Sequence, residues 1–121
     1  MCIRDRFTIG YAWKPDYGSP RENAAEFEAI YKYSPVHNVK PGQAYPPTLI
    51  TTGDHDDRVF PAHSFKFAAA LQAASGPESA PALIRVETRA GHGGGMPLSK
   101  QLDVTADMYA FLVKELGVSV P

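Results

Sequence analysis

Apolar side chains recur along this chain at two different intervals. Helical spacing runs through residues 23–33, 63–74 and 99–116. Residues 48–52 instead form a short β-rich run bounded by proline and glycine, and residues 83–88 carry β-branched side chains at alternate positions, which is typical of strands. The predicted order is helix, strand, helix, strand, helix. This alternation indicates an α/β protein with a parallel sheet.

Two predicted strands are few for a buried parallel sheet, which is usually covered on both faces and has more strands. The first residues also begin without a helix cap or a lead-in. We therefore expect the end of a larger domain, in which residues 36–47 form a surface loop. The buried face of the last helix is predicted to consist of Leu102, Ala106, Tyr109, Val113 and Leu116.

Composition and charge narrow the possible classes of protein. The 121 residues are 44% apolar and 21% charged, as in an ordinary globular domain. A formal net charge of −1 provides no basic surface for nucleic acid or an anionic membrane, so we expect neither partner. The single cysteine, Cys2, excludes an internal disulfide framework and a cysteine-rich metal site. We expect a cytoplasmic protein, with the periplasm and secretion left open.

Side chains capable of chemistry follow both predicted strands. The first strand is followed by GDHDDR, residues 53–58, and the second by RAGHGGG, residues 89–95. Functional groups of open α/β sheets collect beyond the carboxyl ends of the strands, so these two loops are expected to share one edge. An aspartate after one strand and His92 after the next match the order of the later members of a Ser–Asp–His triad in an α/β-hydrolase.

Other interpretations of these loops stay open. A charged loop after a strand is often a solvated turn, and a histidine among glycines is often incidental. A metal site is a further alternative because carboxylate and imidazole groups bind divalent ions. No HExxH-type helix or regular ligand spacing supports it. The metal-ligand candidates would be Asp54, His55, Asp56 and His92.

Several segments resemble the C-terminal end of the prolyl oligopeptidases. They are FTIGYAWKPDYGSP, YSPVHNVKPG, PPTLITTGDHDDRVFPAHSFKFAAALQ and RAGHGGGMPLSKQLDVTADMYAFL. The resemblance implies a serine peptidase that cleaves short peptides after proline and needs no metal or organic cofactor. Its C-terminal α/β-hydrolase domain is covered by a β-propeller. Residues 7–121 would belong to that domain, whereas residues 1–6, MCIRDR, match nothing in the family and are expected to be an unrelated or spurious lead.

The resemblance also implies roles for five residues. Asp56 and His92 match the catalytic aspartate and histidine of the family, and Arg58 matches the arginine that binds a substrate backbone carbonyl. Trp13 matches the indole that stacks on the substrate's proline ring, and Tyr17 matches the tyrosine beside it. These residue types suit the chemistry, since proline offers a flat apolar ring without an N–H and a guanidinium has only donors.

The chain departs from the family at the nucleophile. It contains no Gly-x-Ser-x-Gly motif, and the family's oxyanion-hole groups and propeller are also missing from it. We therefore expect this polypeptide alone to fold poorly and to be inactive as a peptidase. Its expected partners are proline-containing short peptides, the propeller and the rest of the catalytic domain. The alternatives are a dipeptidyl or acylaminoacyl peptidase of the same fold, a catalytically inactive binding module and a metal-dependent hydrolase.

The remaining polar residues of these segments are expected to be structural. Asp54 and Asp57 would hold their loop through turn hydrogen bonds or pair with nearby cations. The other histidines, His37, His55 and His63, are expected to be structural or solvated.

Overall fold

The computed structural model describes residues 8–76, 78–93 and 95–119. The lead expected at residues 1–6 therefore lies outside the described residues. The helices are α1 (Thr8–Ala12), α2 (Lys14–Tyr17), α3 (Ala24–Tyr33), α4 (Pro35–Asn38), α5 (Ala62–Ala74) and α6 (Leu98–Leu116), and the strands are β1 (Thr48–Gly53) and β2 (Ala82–Glu87). Among the described residues, no helix has the length and apolar character that crossing a membrane requires.

The two strands pair in parallel, which confirms the predicted α/β organisation. Thr48 lies opposite Ala82 at one end of the ladder, and Gly53 lies opposite Glu87 at the other. Helix α5 connects the strands and packs against both of them. Its buried residues Leu71 and Ala74 belong to the small core, whose other apolar members are Ile30, Ala68 and Ala90.

Local signals explain where the longer helices begin and end. The side chain of Asn23 caps α3 by accepting hydrogen bonds from the backbone N–H groups of Ala25 and Glu26 at 2.9 and 3.4 Å. At the other end of the chain, Gly117 adopts a left-handed conformation with φ 63° and donates its N–H to carbonyls of the last turn of α6. Both helices therefore lie within one residue of their predicted bounds.

The predicted burial of the apolar face of α6 is wrong for this chain. Leu102, Tyr109 and Leu116 are 60%, 65% and 71% exposed. Ala106 is also exposed, and Val113 is only half-buried. The periodicity correctly identified one apolar face of the helix, but burial requires a second apolar layer, and none of the described residues covers this face.

Polar contacts join α6 to the end of β2 instead. The Lys100 ammonium lies 2.6 Å from a carboxylate oxygen of Glu87 and donates to the Thr88 carbonyl at 2.7 Å. Arg85 contacts Asp107 of the helix at 2.6 Å and Glu87 at 2.9 Å. Hydrogen bonds from Lys100 and then Arg85 hold the pKa of Glu87 below its usual value. The position of α6 is thus set by charged groups at the carboxyl edge of the sheet.

The loop predicted at residues 36–47 begins with a helical turn, so that prediction is wrong for residues 36–38. The turn is α4, which has Pro35 in its first position and Ser34 before it. The Ser34 hydroxyl lies 2.7 Å from Nδ1 of His37, and the Asn38 amide donates to three backbone carbonyls of the preceding helix and its end. These side chain contacts stabilise a turn too short to show helical periodicity.

Candidate active site

The loops that follow β1 and β2 run side by side beyond the sheet. The backbone N–H of Asp54 donates to the Glu87 carbonyl at 3.1 Å, and the N–H of His55 donates to the Ala90 carbonyl at 3.0 Å. In the opposite direction, the Ala90 N–H donates to Oδ1 of Asp54 at 3.2 Å. The parallel pairing of the strands therefore continues into the two loops and holds them together.

Gly53, the last residue of β1, lies directly against the backbone of the loop that carries His92. A Cβ atom at this position would lie 2.4 Å from the carbonyl oxygen of Ala90 and 2.7 Å from that of Gly91. Both atoms belong to the backbone, so neither can move aside without displacing the loop that carries His92. Close approach of the loops therefore requires glycine here.

Substituting Gly53→Ala in the full-length protein is expected to lower the free energy of unfolding of the domain by about 2 to 3 kcal/mol, because the added methyl group must push two backbone segments apart. Denaturant unfolding followed by fluorescence would measure the loss. Gly76→Ala is the matched control, since a Cβ at Gly76 would meet only Ser79 Oγ at 3.9 Å. Equal stability of the two variants would contradict the predicted clash.

Asp56 and His92 meet between these loops. Nδ1 of His92 lies 2.8 Å from Oδ2 of Asp56 and 3.0 Å from Oδ1. The Asp56 side chain is only 9% exposed, whereas the His92 side chain is 43% exposed. An ionised carboxylate can only accept, so Nδ1 carries the proton in this pair and Nε2 is the nitrogen left to accept one.

The backbone that follows Asp56 fixes its carboxylate. The N–H groups of Arg58 and Val59 donate to Oδ1 of Asp56 at 2.9 and 2.8 Å. Burial is the largest single influence on the pKa of Asp56 and raises it, but the hydrogen bonds from Val59, His92 and Arg58 together outweigh burial and leave the pKa below its ordinary value of 3.8. Asp56 is therefore an ionised, oriented acceptor at neutral pH.

The other three residues suggested by the resemblance line a cavity of about 560 Å³. The rings of Trp13 and Tyr17 lie edge to face, with centroids 6.3 Å apart. Both side chains are partly exposed, at 42% and 57%, and Arg58 borders the same space. The apolar residues that complete the lining include Ile30, Val36, Ile50, Val59, Phe60 and Phe67.

Asp56 and His92 border a second cavity of about 310 Å³. The structure therefore brings the five residues together in two groups, the aromatic pair with Arg58 in one cavity and the acid–histidine pair in the other. Arg58 lines the first cavity and Asp56 lines the second, so the loop after β1 connects the two groups. The sequence did not identify Val59 as part of the site, although it lines the first cavity and its N–H donates to Asp56. An apolar residue directly after this charged loop was a signal that could have indicated it.

The four metal-ligand candidates form two separate pairs. Asp54 Oδ1 lies 2.7 Å from Nδ1 of His55, whose side chain is 71% exposed, while Asp56 pairs with His92. Within the described ranges, no group of three or more histidine, cysteine, aspartate or glutamate side chains is arranged to hold a metal ion.

Comparison with known proteins gives a consistent picture. A profile of the prolyl oligopeptidase family matches residues 3–119. The prolyl endopeptidase of Elizabethkingia miricola is 48% identical over 118 residues, which make up 98% of this chain and 17% of that protein. Prolyl oligopeptidase A of Amanita bisporigera is 46% identical over 114 residues, which make up 94% of this chain and 15% of that protein.

A solved structure supports the same relationship. Prolyl oligopeptidase B from Galerina marginata, bound to a 35mer hydrolysis and macrocyclization substrate, aligns with a TM-score of 0.87 and 40% identity over all of this chain and 17% of that one. The chain thus spans about a sixth of the length of the relatives it matches. These matches confirm the family and the fold class expected from the sequence. This chain belongs to the prolyl oligopeptidase family, and its parallel strands and helices are part of an α/β-hydrolase catalytic domain.

Proposed function

We propose that this chain is part of a serine peptidase that hydrolyses short peptides on the carboxyl side of proline. The observation that carries the proposal is the 2.8 Å contact between His92 Nδ1 and Asp56 Oδ2, formed by loops that follow the two parallel strands. The names of the relatives support it, since a prolyl endopeptidase and a prolyl oligopeptidase align with nearly all of this chain at 48% and 46% identity. The nucleophilic serine would come from a part of the protein outside these 121 residues.

In this reaction His92 acts first as a base and then as an acid. Nε2 would take the proton of the serine hydroxyl while the serine oxygen bonds to the carbonyl carbon of the substrate's proline residue. The same proton then passes from Nε2 to the departing amine as the C–N bond breaks. Water repeats the sequence on the acyl-enzyme. Asp56, ionised and held by Arg58 and Val59, stabilises the imidazolium formed in both halves.

We propose that the 121-residue chain alone does not catalyse this reaction. It has no Gly-x-Ser-x-Gly motif, so the covalent step lacks its nucleophile. Structures of the Galerina marginata enzyme exist with a serine, a histidine or an aspartate replaced by alanine, each bound to substrate. This set of substitutions fits a three-residue mechanism to which the present chain contributes two members.

The cavity lined by Trp13 and Tyr17 is the proposed site for the proline ring. Its aromatic walls and apolar lining suit a ring that has no N–H to satisfy. The Arg58 guanidinium borders this cavity and is only two residues from Asp56. In this proposal it donates to a backbone carbonyl of the bound peptide, which places the scissile bond near His92.

Trp13→Ala in the full-length protein is expected to lower kcat/KM for a blocked proline peptide about 30-fold, mainly by raising KM, because the apolar contact with the proline ring is lost. Steady-state kinetics would measure it. Trp13→Phe, which keeps an aromatic face, should lose much less. A substrate with alanine in place of proline should respond weakly to either change. An equal loss on both substrates would place Trp13 outside the proline site.

The experiment that tests the proposed function is hydrolysis of N-blocked and unblocked proline peptides by the full-length protein. Cleavage of the blocked peptide after proline, with inactivation by a serine-reactive fluorophosphonate and no effect of chelator, is the expected result. Cleavage of only unblocked dipeptide substrates would indicate a dipeptidyl peptidase, and cleavage of only acylated amino acids an acylaminoacyl peptidase. Binding without cleavage would indicate an inactive binding module. Loss of activity with chelator would indicate a metal-dependent hydrolase.

A further inference from the structure

We propose that Asp54 is a positioning residue, whose carboxylate sets the separation between the loop of Asp56 and the loop of His92 by binding the backbone N–H groups of the turn at Arg89 and Ala90. The inference rests on the proposed function of Asp56 and His92. It assigns to a second acidic residue of the same loop a role in the reaction, exerted through Asp56 and His92.

The turn that receives Asp54 has an unusual backbone. Arg89 is the one non-glycine residue with positive φ, at 55°, in the part of the chain that the structure describes. A left-handed residue turns successive N–H groups toward the same side, which forms a concave site for an anion. The Ala90 N–H lies 3.2 Å from Oδ1 of Asp54, and Ala90 itself is only 5% exposed. The carboxylate of Asp54 occupies this site.

The charge of Asp54 is well stabilised there. Hydrogen bonds from His55 first, then from the backbone of Arg89 and Ala90, outweigh partial burial and lower the pKa of Asp54 from 3.8 to about 2. The side chain of Asp54 is 30% exposed and that of His55 is 71% exposed, so the contact with His55 faces solvent while the backbone contacts face the turn. The contacts of Asp54 with the backbone of Arg89 and Ala90 are therefore the ones that can hold the two loops together.

The spacing along the two loops relates this contact to the acid–histidine pair. Asp56 lies two residues beyond Asp54, and His92 lies two residues beyond Ala90. The two loops are thus joined at two places. The Asp54–Ala90 contact joins them next to the strands, and the 2.8 Å contact of His92 with Asp56 joins them two residues further along each loop. Gly53 permits the close approach of the loops beside the strands, and Asp54 maintains this approach. Loss of the Asp54–Ala90 contact is expected to lengthen the contact between His92 and Asp56, and a small misplacement of the catalytic histidine lowers the reaction rate strongly.

The test compares Asp54→Ala, Asp54→Glu and Asp54→Asn in the full-length protein. The kcat per active site, counted by fluorophosphonate titration carried to completion, is expected to fall about 10- to 100-fold in Asp54→Ala, with KM within about twofold. Asp54→Glu keeps the charge and the solubility of the loop but adds a methylene group, so it should lose about 10-fold in kcat and keep its thermal midpoint. Asp54→Asn still presents an oxygen to Ala90 and should stay within about fivefold of wild type.

Matched controls separate the possible failures. Asp57→Ala removes an exposed acid from the same loop and should leave kcat per site unchanged. Full kcat per site in Asp54→Ala and Asp54→Glu, with fewer titratable sites or a lower thermal midpoint, would show a purely structural residue and overturn the inference. Asp54→Asn as impaired as Asp54→Ala would also overturn it, because the charge and not the contact with the turn would then matter. Full activity of His92→Ala would instead overturn the proposed function itself.

Discussion

Replacing His92 with alanine in the full-length protein is expected to lower kcat for a blocked proline peptide by about 10⁴-fold or more, while KM changes little. The substitution removes the only group that can take the serine proton through Nε2 in the proposed mechanism. In the proposed function, the peptide binds in the cavity lined by Trp13, Tyr17 and Arg58, and His92 does not line that cavity. The loss should therefore appear in the chemical step.

Steady-state kinetics on purified enzyme would measure this loss, with circular dichroism and thermal midpoint confirming that the fold is intact. His55→Ala is the matched control, since this histidine lies in the facing loop, is 71% exposed and contacts Asp54 through its ring. It should retain activity within about threefold. Retention of more than a tenth of wild-type kcat by His92→Ala would exclude His92 as the general base.

Asp56→Asn is expected to lower kcat by about 10³- to 10⁴-fold. The neutral amide cannot stabilise the imidazolium, and its NH₂ group can force the His92 ring into the tautomer in which Nδ1 accepts and Nε2 already carries a proton. The backbone N–H groups of Arg58 and Val59 can still donate to the amide oxygen, so the loop should keep its shape. The effect is therefore expected in catalysis and not in stability.

The pH dependence gives a second check on Asp56. Its pKa in the folded chain lies below 3.8, so the carboxylate is fully ionised at pH values well above 3.8 and is protonated only as pH falls through the lower folded value. The stability that this ionised group contributes is likewise present above the unfolded pKa and lost in acid. Titration of Asp56 should consequently produce no limb in the kcat/KM profile between about pH 5 and 8, the range in which groups with a pKa near neutrality titrate.

Asp57→Asn provides the control for Asp56→Asn, because it makes the same chemical change at the next residue, which is exposed. Its kcat should stay within about twofold of wild type. Equal and large losses in Asp56→Asn and Asp57→Asn would show that the charge of the loop matters as a whole. That result would contradict an individual role for Asp56.

Much of the local structure could be predicted from residues that act on their own neighbours. Asn23 and Gly117 mark the ends of helices through their own hydrogen bonds and backbone conformations, and both boundaries were predicted within a residue. The β-rich runs predicted both strands, and their placement between helices predicted that the strands are parallel. The turn α4 escaped prediction because side chain contacts of Ser34 and Asn38, not periodicity, stabilise it.

The candidate site, too, was predicted in part from the sequence and in part missed. That an aspartate of residues 53–58 would lie near His92 could be expected, because the carboxyl ends of parallel strands meet at one edge. The choice of Asp56 over Asp54 and Asp57 came from the family resemblance. The contact of Asp54 with the turn at Ala90 was missed, since it depends on a left-handed residue at Arg89 that nothing in the local sequence signals.

The sequence by itself determined the type and order of the three longer helices and the two strands, the apolar periodicity of those helices and the family to which the chain belongs, whereas the short helices α1, α2 and α4 were not predicted. These features follow from local propensity, periodicity and motif order, all of which are written along the chain. Only the tertiary structure decided that the apolar face of α6 is exposed here and that Lys100 and Arg85 join this region to the sheet edge. It also decided how Asp54 and Asp56 divide their contacts between Ala90 and His92. Burial and side-chain pairing depend on which residues far apart in the sequence come into contact, and the periodicity of one segment does not specify those contacts.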